Sequence, residues 1–323
     1  MKRLYTLTLT VVVLAGAAVA VLYFWNAGFS IKKGYTFELI VKGTDVDFWN
    51  SVNEGAQAAA STYNVNVSMV GPASEKDYSQ QVSLLEASIA RRPDAIILAA
   101  SDYNLLAKPV QDAIDKGIPV IMVDSDVDNP RTVAYVGTDN VNLGTQLAKQ
   151  MQKRLDKTSG EVGIVSFVKE SYPAVQRESG FRSFLGADRR FALLDTAYGD
   201  SDVQKTEYLT AVMIGQHPKL KAIASLNAQA SEGAAQALSK LGRKDIPLFA
   251  IDCTPTEAMY MEDGILKLAI LQNPYQMGYY GVETACRRLK GEKVSNRYTD
   301  IYSVDVTTLF SDRYQQLVFP FNS

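Results

Sequence analysis

Ten short apolar runs, most beginning roughly 25–30 residues after the one before, constrain the fold of this chain more than any other feature. The first five are Tyr35–Val41, Val65–Val70, Ala95–Ala99, Pro119–Val123 and Val133–Val136. The second five are Val162–Phe167, Phe191–Thr196, Ala222–Ser225, Leu248–Ile251 and Leu268–Leu271. Their apolar character is nearly continuous, the pattern of a parallel strand covered on both faces. Parallel neighbours need a crossover, and most of the intervening stretches hold a helix. Trp49, Val52, Ala56, Ala59, Ala60 and Tyr63 recur at three- and four-residue spacing and mark the buried face of the first helix. Asp45 or Asp47 is its expected cap. A second helix is expected from Asp77 to Arg91, burying Val82, Leu85 and Ile89 and stopping before Pro93. The pattern predicts an α/β protein of two Rossmann-like lobes.

Composition then removes several kinds of chemistry. Lys plus Arg number 33 against 35 for Asp plus Glu, so the basic excess of a nucleic-acid-binding protein is missing. The single histidine, His217, excludes a three-histidine zinc enzyme. Two cysteines, Cys253 and Cys286, are too few for a disulfide framework or a structural metal site, and their pairing is left open. No metal, cofactor or catalytic residue is expected.

At the start of the chain Lys2 and Arg3 precede 28 uncharged residues, Leu4 to Ile31, of which Leu7 to Trp25 are the most apolar. That length suits a spanning helix of ~20 residues. A cleaved signal ending near Ala18-Val19-Ala20 is the competing reading, but apolar and aromatic residues continue through Trp25. Both readings place the rest of the chain outside the cytoplasm, and the first keeps it at the membrane.

In open parallel sheets, ligands bind beyond the carboxyl ends of the strands. Reading each run to its end gives Phe48 and Trp49, Ser101 and Asp102, and Asp124 and Ser125. The second series gives Arg177, Ser201 and Asp202, Asn227, Asp252 and Gln272. Two lobes facing one another at these ends would gather aromatics, carboxylates, an arginine and amides into one cleft. Aromatic faces cover the apolar face of a sugar ring, while carboxylates and amides bind its hydroxyls.

At these residues the sequence resembles the type I periplasmic binding proteins of sugar ABC transporters, above all the ribose-binding subgroup. The stretches are Asp47-Phe48-Trp49 with Glu54-Gly55-Ala56-Gln57, Pro119 to Asp124, and Tyr135 to Asn140. Further matches are Arg177-Glu178-Ser179-Gly180-Phe181, Ser225-Leu226-Asn227, Ile251 to Pro255, and Gln272 before Asn273-Pro274. The resemblance implies that Phe48 and Trp49 stack on the sugar and that Asp124, Arg177, Asn227, Asp252 and Gln272 bind hydroxyls. Two positions depart from the pattern. Ser125 stands where an arginine follows the aspartate, and Ser201 stands where a second-face aromatic belongs, leaving Tyr172 or Tyr198 as substitutes. The resemblance also implies lobes of residues 35–138 plus 273–303 and 139–272 plus 304–323 behind a segment 1–34, joined by a multi-strand hinge. The chain crosses near Thr138-Asp139, Gln272-Asn273 and Val304.

Each position also has a plainer role. Phe48 and Trp49 suit the core of the first helix. Asp124, Asp252 and Asn227 suit helix caps, and Asp102, a further candidate ligand, suits one best. Arg177 suits a surface ion pair and Gln272 the hinge. Two functions are therefore expected: a non-enzymatic sugar-binding protein serving an ABC permease, or a membrane-tethered sugar sensor serving a sensor kinase.

Overall fold

The computed structural model describes residues 34–319 except Asp45. The expected spanning segment, Leu7 to Trp25, lies outside the described residues. Among those described, no helix is long and apolar enough to cross a membrane.

Two six-stranded sheets organise the chain. The first holds β1 (Thr36–Ile40), β2 (Asn66–Val70), β3 (Ala95–Leu98), β4 (Val120–Val123), β5 (Tyr135–Gly137) and β11 (Arg297–Tyr298), in the order β11-β5-β4-β3-β1-β2. The second holds β6 (Gly160–Ser166), β7 (Phe191–Tyr198), β8 (Leu220–Ser225), β9 (Leu248–Ile251), β10 (Leu266–Leu271) and β12 (Tyr302–Val304), in the order β12-β10-β9-β8-β6-β7. Every pairing is parallel except that of β12 on β10. The ten expected strands are all present; β11 and β12 are too short to stand out from their polar surroundings.

Side-chain alternation sends each strand into two apolar layers. From the first sheet, Phe37, Leu39, Ile97, Ile121 and Val123 face one layer, while Ile40, Ile96, Leu98, Val120 and Met122 face the other. The first layer is covered by α1 (Asp47–Tyr63) and α9 (Pro274–Leu289); the second by α2 (Tyr78–Arg91) and α3 (Ala107–Asp115). On the second sheet, α4 (Asn140–Arg154) and α5 (Tyr172–Leu185) cover one face, and α6 (Val203–Gln216), α7 (Ala228–Lys240) and α8 (Pro255–Glu262) the other. A last helix, α10 (Asp312–Val318), packs Val318 into that same layer.

The cap expected of α1 is not formed by Asp47. Val46 holds the cap position with no side-chain bond, and Asp47 is the first helical residue, its charge set at the positive end of the helix dipole. Asp77 does cap α2, accepting from the Gln80 amide. Chain crossings between the sheets follow β5 and β10, next to Thr138 and Gln272. The third falls between Tyr298 and Tyr302, a few residues ahead of Val304, which already belongs to the second sheet.

Candidate functional site

In both sheets the first strand lies between the second and the third, so the chain reverses direction of travel at β1/β3 and at β6/β8. A crevice opens beyond the carboxyl ends of strands at such a reversal. Here a cavity of about 420 Å³ collects residues from both sheets. Its walls include Phe48, Trp49, Asp124, Arg177, Ser201, Asn227, Asp252 and Gln272, all read from the sequence as candidates. They also include Lys42, Glu75 and Phe167, which sequence reading passed over.

Asp124 and Asp252 follow β4 and β9, the corresponding strands of the two sheets. Both hold left-handed backbone, with φ of 58° and 69°. Aspartate tolerates that region better than most side chains, and single residues held there cluster where a structure positions a function. Neither serves as a helix cap: the residue capping α8 is Thr254, two positions after Asp252.

The two carboxyls are treated differently by their surroundings. Asp124 is buried beside the Lys42 ammonium at 3.0 Å and accepts from Ser125 Oγ at 2.6 Å. Burial works against its charge, but Lys42, Arg177 and the Ser125 hydroxyl outweigh that cost and hold its carboxyl below the usual range. Asp252 sits 3.9 Å from the Arg177 guanidinium and accepts from Gln272 Nε2 at 3.0 and 3.1 Å. There burial dominates, Arg177 and Gln272 offset it in part, and the charge of Asp124 adds to it, so its carboxyl titrates above the usual range.

Arg177 is held on every side. Its Nε donates to Asn140 Oδ1 at 2.9 Å, one Nη to the Leu226 carbonyl at 2.8 Å and the other to Gln272 Oε1 at 2.9 Å. The guanidinium also lies 5.6 Å from the Phe167 ring centre. Helix α5 can bring it there because α4 and α5 meet at glycines. A Cβ at Gly144 would lie 2.0 Å from the Arg177 carbonyl oxygen, and one at Gly180 2.1 Å from that of Val141. Gln272 Oε1 accepts from Thr138 Oγ1 as well, at 2.8 Å, so one amide joins the site to two of the three crossings.

On the aromatic side, Phe48 meets Trp49 edge to face at 5.0 Å. Trp49 is 2% exposed and belongs to the core, whereas Phe48 is half-buried. Lys42 Nζ stands 5.8 Å from the Trp49 ring centre, within cation–π range. Asn227 combines the two roles read for it: its Oδ1 accepts from the Ala230 amide as the cap of α7, and the residue lines the cavity.

Ser125, Asp102, Tyr172 and Tyr198 stand outside the cavity wall, as do Ser101 and Asp202. Ser125 acts through its bond to Asp124. Asp102 turns its carboxylate onto the Asn104 and Leu105 amides at 2.8 and 2.7 Å, the cap-like role. Tyr172 stacks on Tyr103 at 5.6 Å, and Tyr198 donates to Glu178. Neither tyrosine therefore takes the place of an aromatic at Ser201. Both cysteines are free and buried, Cys253 against the second sheet and Cys286 against the first.

Fold and cleft together define a two-lobed binding protein. The family model described as "periplasmic binding protein domain" matches residues 37–293, and the chain belongs to that family. It is 27% identical over 263 residues to the ribose import binding protein RbsB of Escherichia coli (strain K12), covering 81% of this chain and 88% of that one. It is also 27% identical to a D-ribose/D-allose-binding protein of Pseudomonas aeruginosa, covering 79% of this chain and 82% of that one. Among solved structures it resembles an ABC transporter solute-binding protein from Agrobacterium vitis bound with α-D-tagatopyranose. That likeness has a TM-score of 0.85 at 25% identity, covering 88% of this chain and 99% of that one.

Proposed function

We propose that this chain binds a neutral sugar or related polyol in the cleft outside the cytoplasm, closes its two lobes around it and delivers it to an ABC importer. The observation that carries this reading is the pairing of Lys42 with Asp124 on one lobe and of Arg177 with Asp252 on the other, two cation–carboxylate pairs set on one cavity. Donors and acceptors set side by side suit hydroxyl groups, each of which donates and accepts. Phe48 supplies the ring platform, backed edge to face by the buried Trp49; Asp124, Asp252, Asn227 and Gln272 supply the polar contacts; Arg177 holds Asp252 and Gln272 in place. The ribose-, allose- and tagatose-related proteins above support the ligand class. No catalytic step is assigned.

The lobes proposed to move are those built on the two sheets, residues 35–138 plus 273–298 and 139–272 plus 302–319, with the third crossing between Tyr298 and Tyr302. The apolar segment Leu7 to Trp25 would tether them at the membrane, beside a permease or, in the alternative reading, a sensor kinase.

Thermal shift with D-ribose, D-allose, D-tagatose and xylitol tests the ligand class, since a ligand of the native state stabilises by RT ln(1 + [L]/Kd). Small-angle scattering on the same samples tests closure. At least one sugar should raise Tm and reduce the radius of gyration. Unchanged Tm with every sugar at millimolar concentration overturns the reading.

A further inference from the structure

The mouth of the cleft carries a connection that the pattern of hydroxyl-binding residues does not explain. Glu75 lies on the loop between β2 and α2, on the first lobe, and Ser201 on the loop between β7 and α6, on the second. Ser201 Oγ donates to Glu75 Oε2 at 2.8 Å, and Trp49 Nε1 donates to Glu75 Oε1 at 3.4 Å. All three residues line the cavity. The second lobe presents Ser201 from left-handed backbone, with φ of 55° at both Asp200 and Ser201. Non-glycine residues persist in that region where their surroundings hold them.

We propose that Glu75 is a positioning residue of the binding site, a clasp whose carboxylate orients the Trp49 indole and at the same time ties the first lobe to Ser201. Setting the aromatic platform and closing the cleft then become one event. A carboxylate accepts on both oxygens, so the two bonds form without competing and leave acceptor capacity toward the cavity. The neighbouring Lys76–Asp202 ion pair also spans the lobes at 3.0 Å, but its side chains are 43% and 41% exposed. Exposed pairs of that kind contribute little, and the Tyr103–Tyr172 stack that also joins the lobes does not touch Trp49, so the bond at Glu75 is the one that couples closure to the indole.

This inference rests on the sugar-binding reading, and its test includes measurements that need no sugar. The chain has two tryptophans, so Trp25→Phe in the full-length protein leaves Trp49 as the sole indole. In that background, without ligand, Glu75→Ala should shift the Trp49 emission and increase the radius of gyration. Ser201→Ala should increase the radius alone, and Lys76→Ala should change neither. Glu75→Gln keeps one acceptor oxygen and should fall between Glu75→Ala and the parent; it decides the matter if the alanine variant fails to fold. With D-ribose or D-allose as probe, whichever the parent binds, Glu75→Ala should raise Kd about tenfold or more, the scale of a lost bond to a charged group. Emission and radius both unchanged in the folded Glu75 variants overturn the clasp, whether or not a sugar binds.

Discussion

Lys42 and Asp124 form an ion pair at 3.0 Å with side chains only 5% and 6% exposed, at the floor of the cleft between the ends of β1 and β4. Removing one member of such a pair leaves the other charge buried and uncompensated, at a cost of about 3–5 kcal/mol. Lys42→Ala should lower the unfolding free energy by about that amount. The double variant Lys42→Met with Asp124→Asn should recover much of it, while neither protein binds sugar as the parent does. Equal denaturation midpoints for Lys42→Ala and the parent in urea would show that the pair is not a buried unit.

Asp252 should behave in the opposite sense. Its carboxyl titrates above the ordinary 3.8, so the contribution of its protonated form is fully present below that value and is lost as pH rises through the folded-state pKa. At neutral pH the parent therefore carries the cost of a buried charge. Asp252→Asn should raise Tm of the ligand-free protein at pH 7, with the gain disappearing below pH 3.8. The same change should weaken sugar binding by about 1.5–3 kcal/mol. A Tm at pH 7 below that of the parent would contradict this.

Asp124 follows the other sign. Its carboxyl is held below 3.8, so its stabilising contribution is present above that value and fades as pH falls through the lower folded-state pKa. Asp124→Asn should accordingly reduce Tm at pH 7 and make acid unfolding less steep. The check is a pair of Tm-against-pH curves, converging at the acid end.

Phe48 and Trp49 should separate in their effects, although sequence reading treats them as one platform. Trp49→Ala should cost about 3–5 kcal/mol of stability, because its ring belongs to the core layer beneath β1 and β3. Phe48→Ala, at a half-buried position, should cost far less stability and should weaken sugar binding by about 1–2 kcal/mol. Urea titration with calorimetry on both variants distinguishes them. A Phe48→Ala protein that binds as the parent does would remove Phe48 from the platform.

Gln272→Ala should loosen the site without touching either charge. Its amide donates to both oxygens of Asp252 and its carbonyl accepts from Thr138 and Arg177, so its loss removes a partner from the acid, the arginine and a crossing together. Sugar affinity should fall about tenfold or more. An unchanged Kd would mean that Asp252 is positioned by something else.

The ten strands, their parallel pairing and the two-lobed plan were legible in the sequence, because a strand buried on both faces cannot tolerate polar residues and so stands out as an apolar run. The polar residues directly after those runs were legible for a related reason: topology places strand ends at a ligand crevice. Asp124, Asn227, Asp252 and Gln272 were found in that way, and Arg177 one loop further on, in α5. Lys42 also follows a strand, but a lysine there reads equally as a surface charge until the fold sets Asp124 3.0 Å from it. Glu75 belongs to a loop, and its meaning depends on Ser201, which is 126 residues away in the chain. The division of labour within the site was decided at the same level. Asp102 caps a loop while Asp124 lines the cleft, and Trp49 is core while Phe48 is half-buried. Residue type and spacing determine which side chains reach the strand ends. Burial, partner charge and hydrogen-bond geometry determine what each one does there, and those arise from contacts between segments that are distant in sequence.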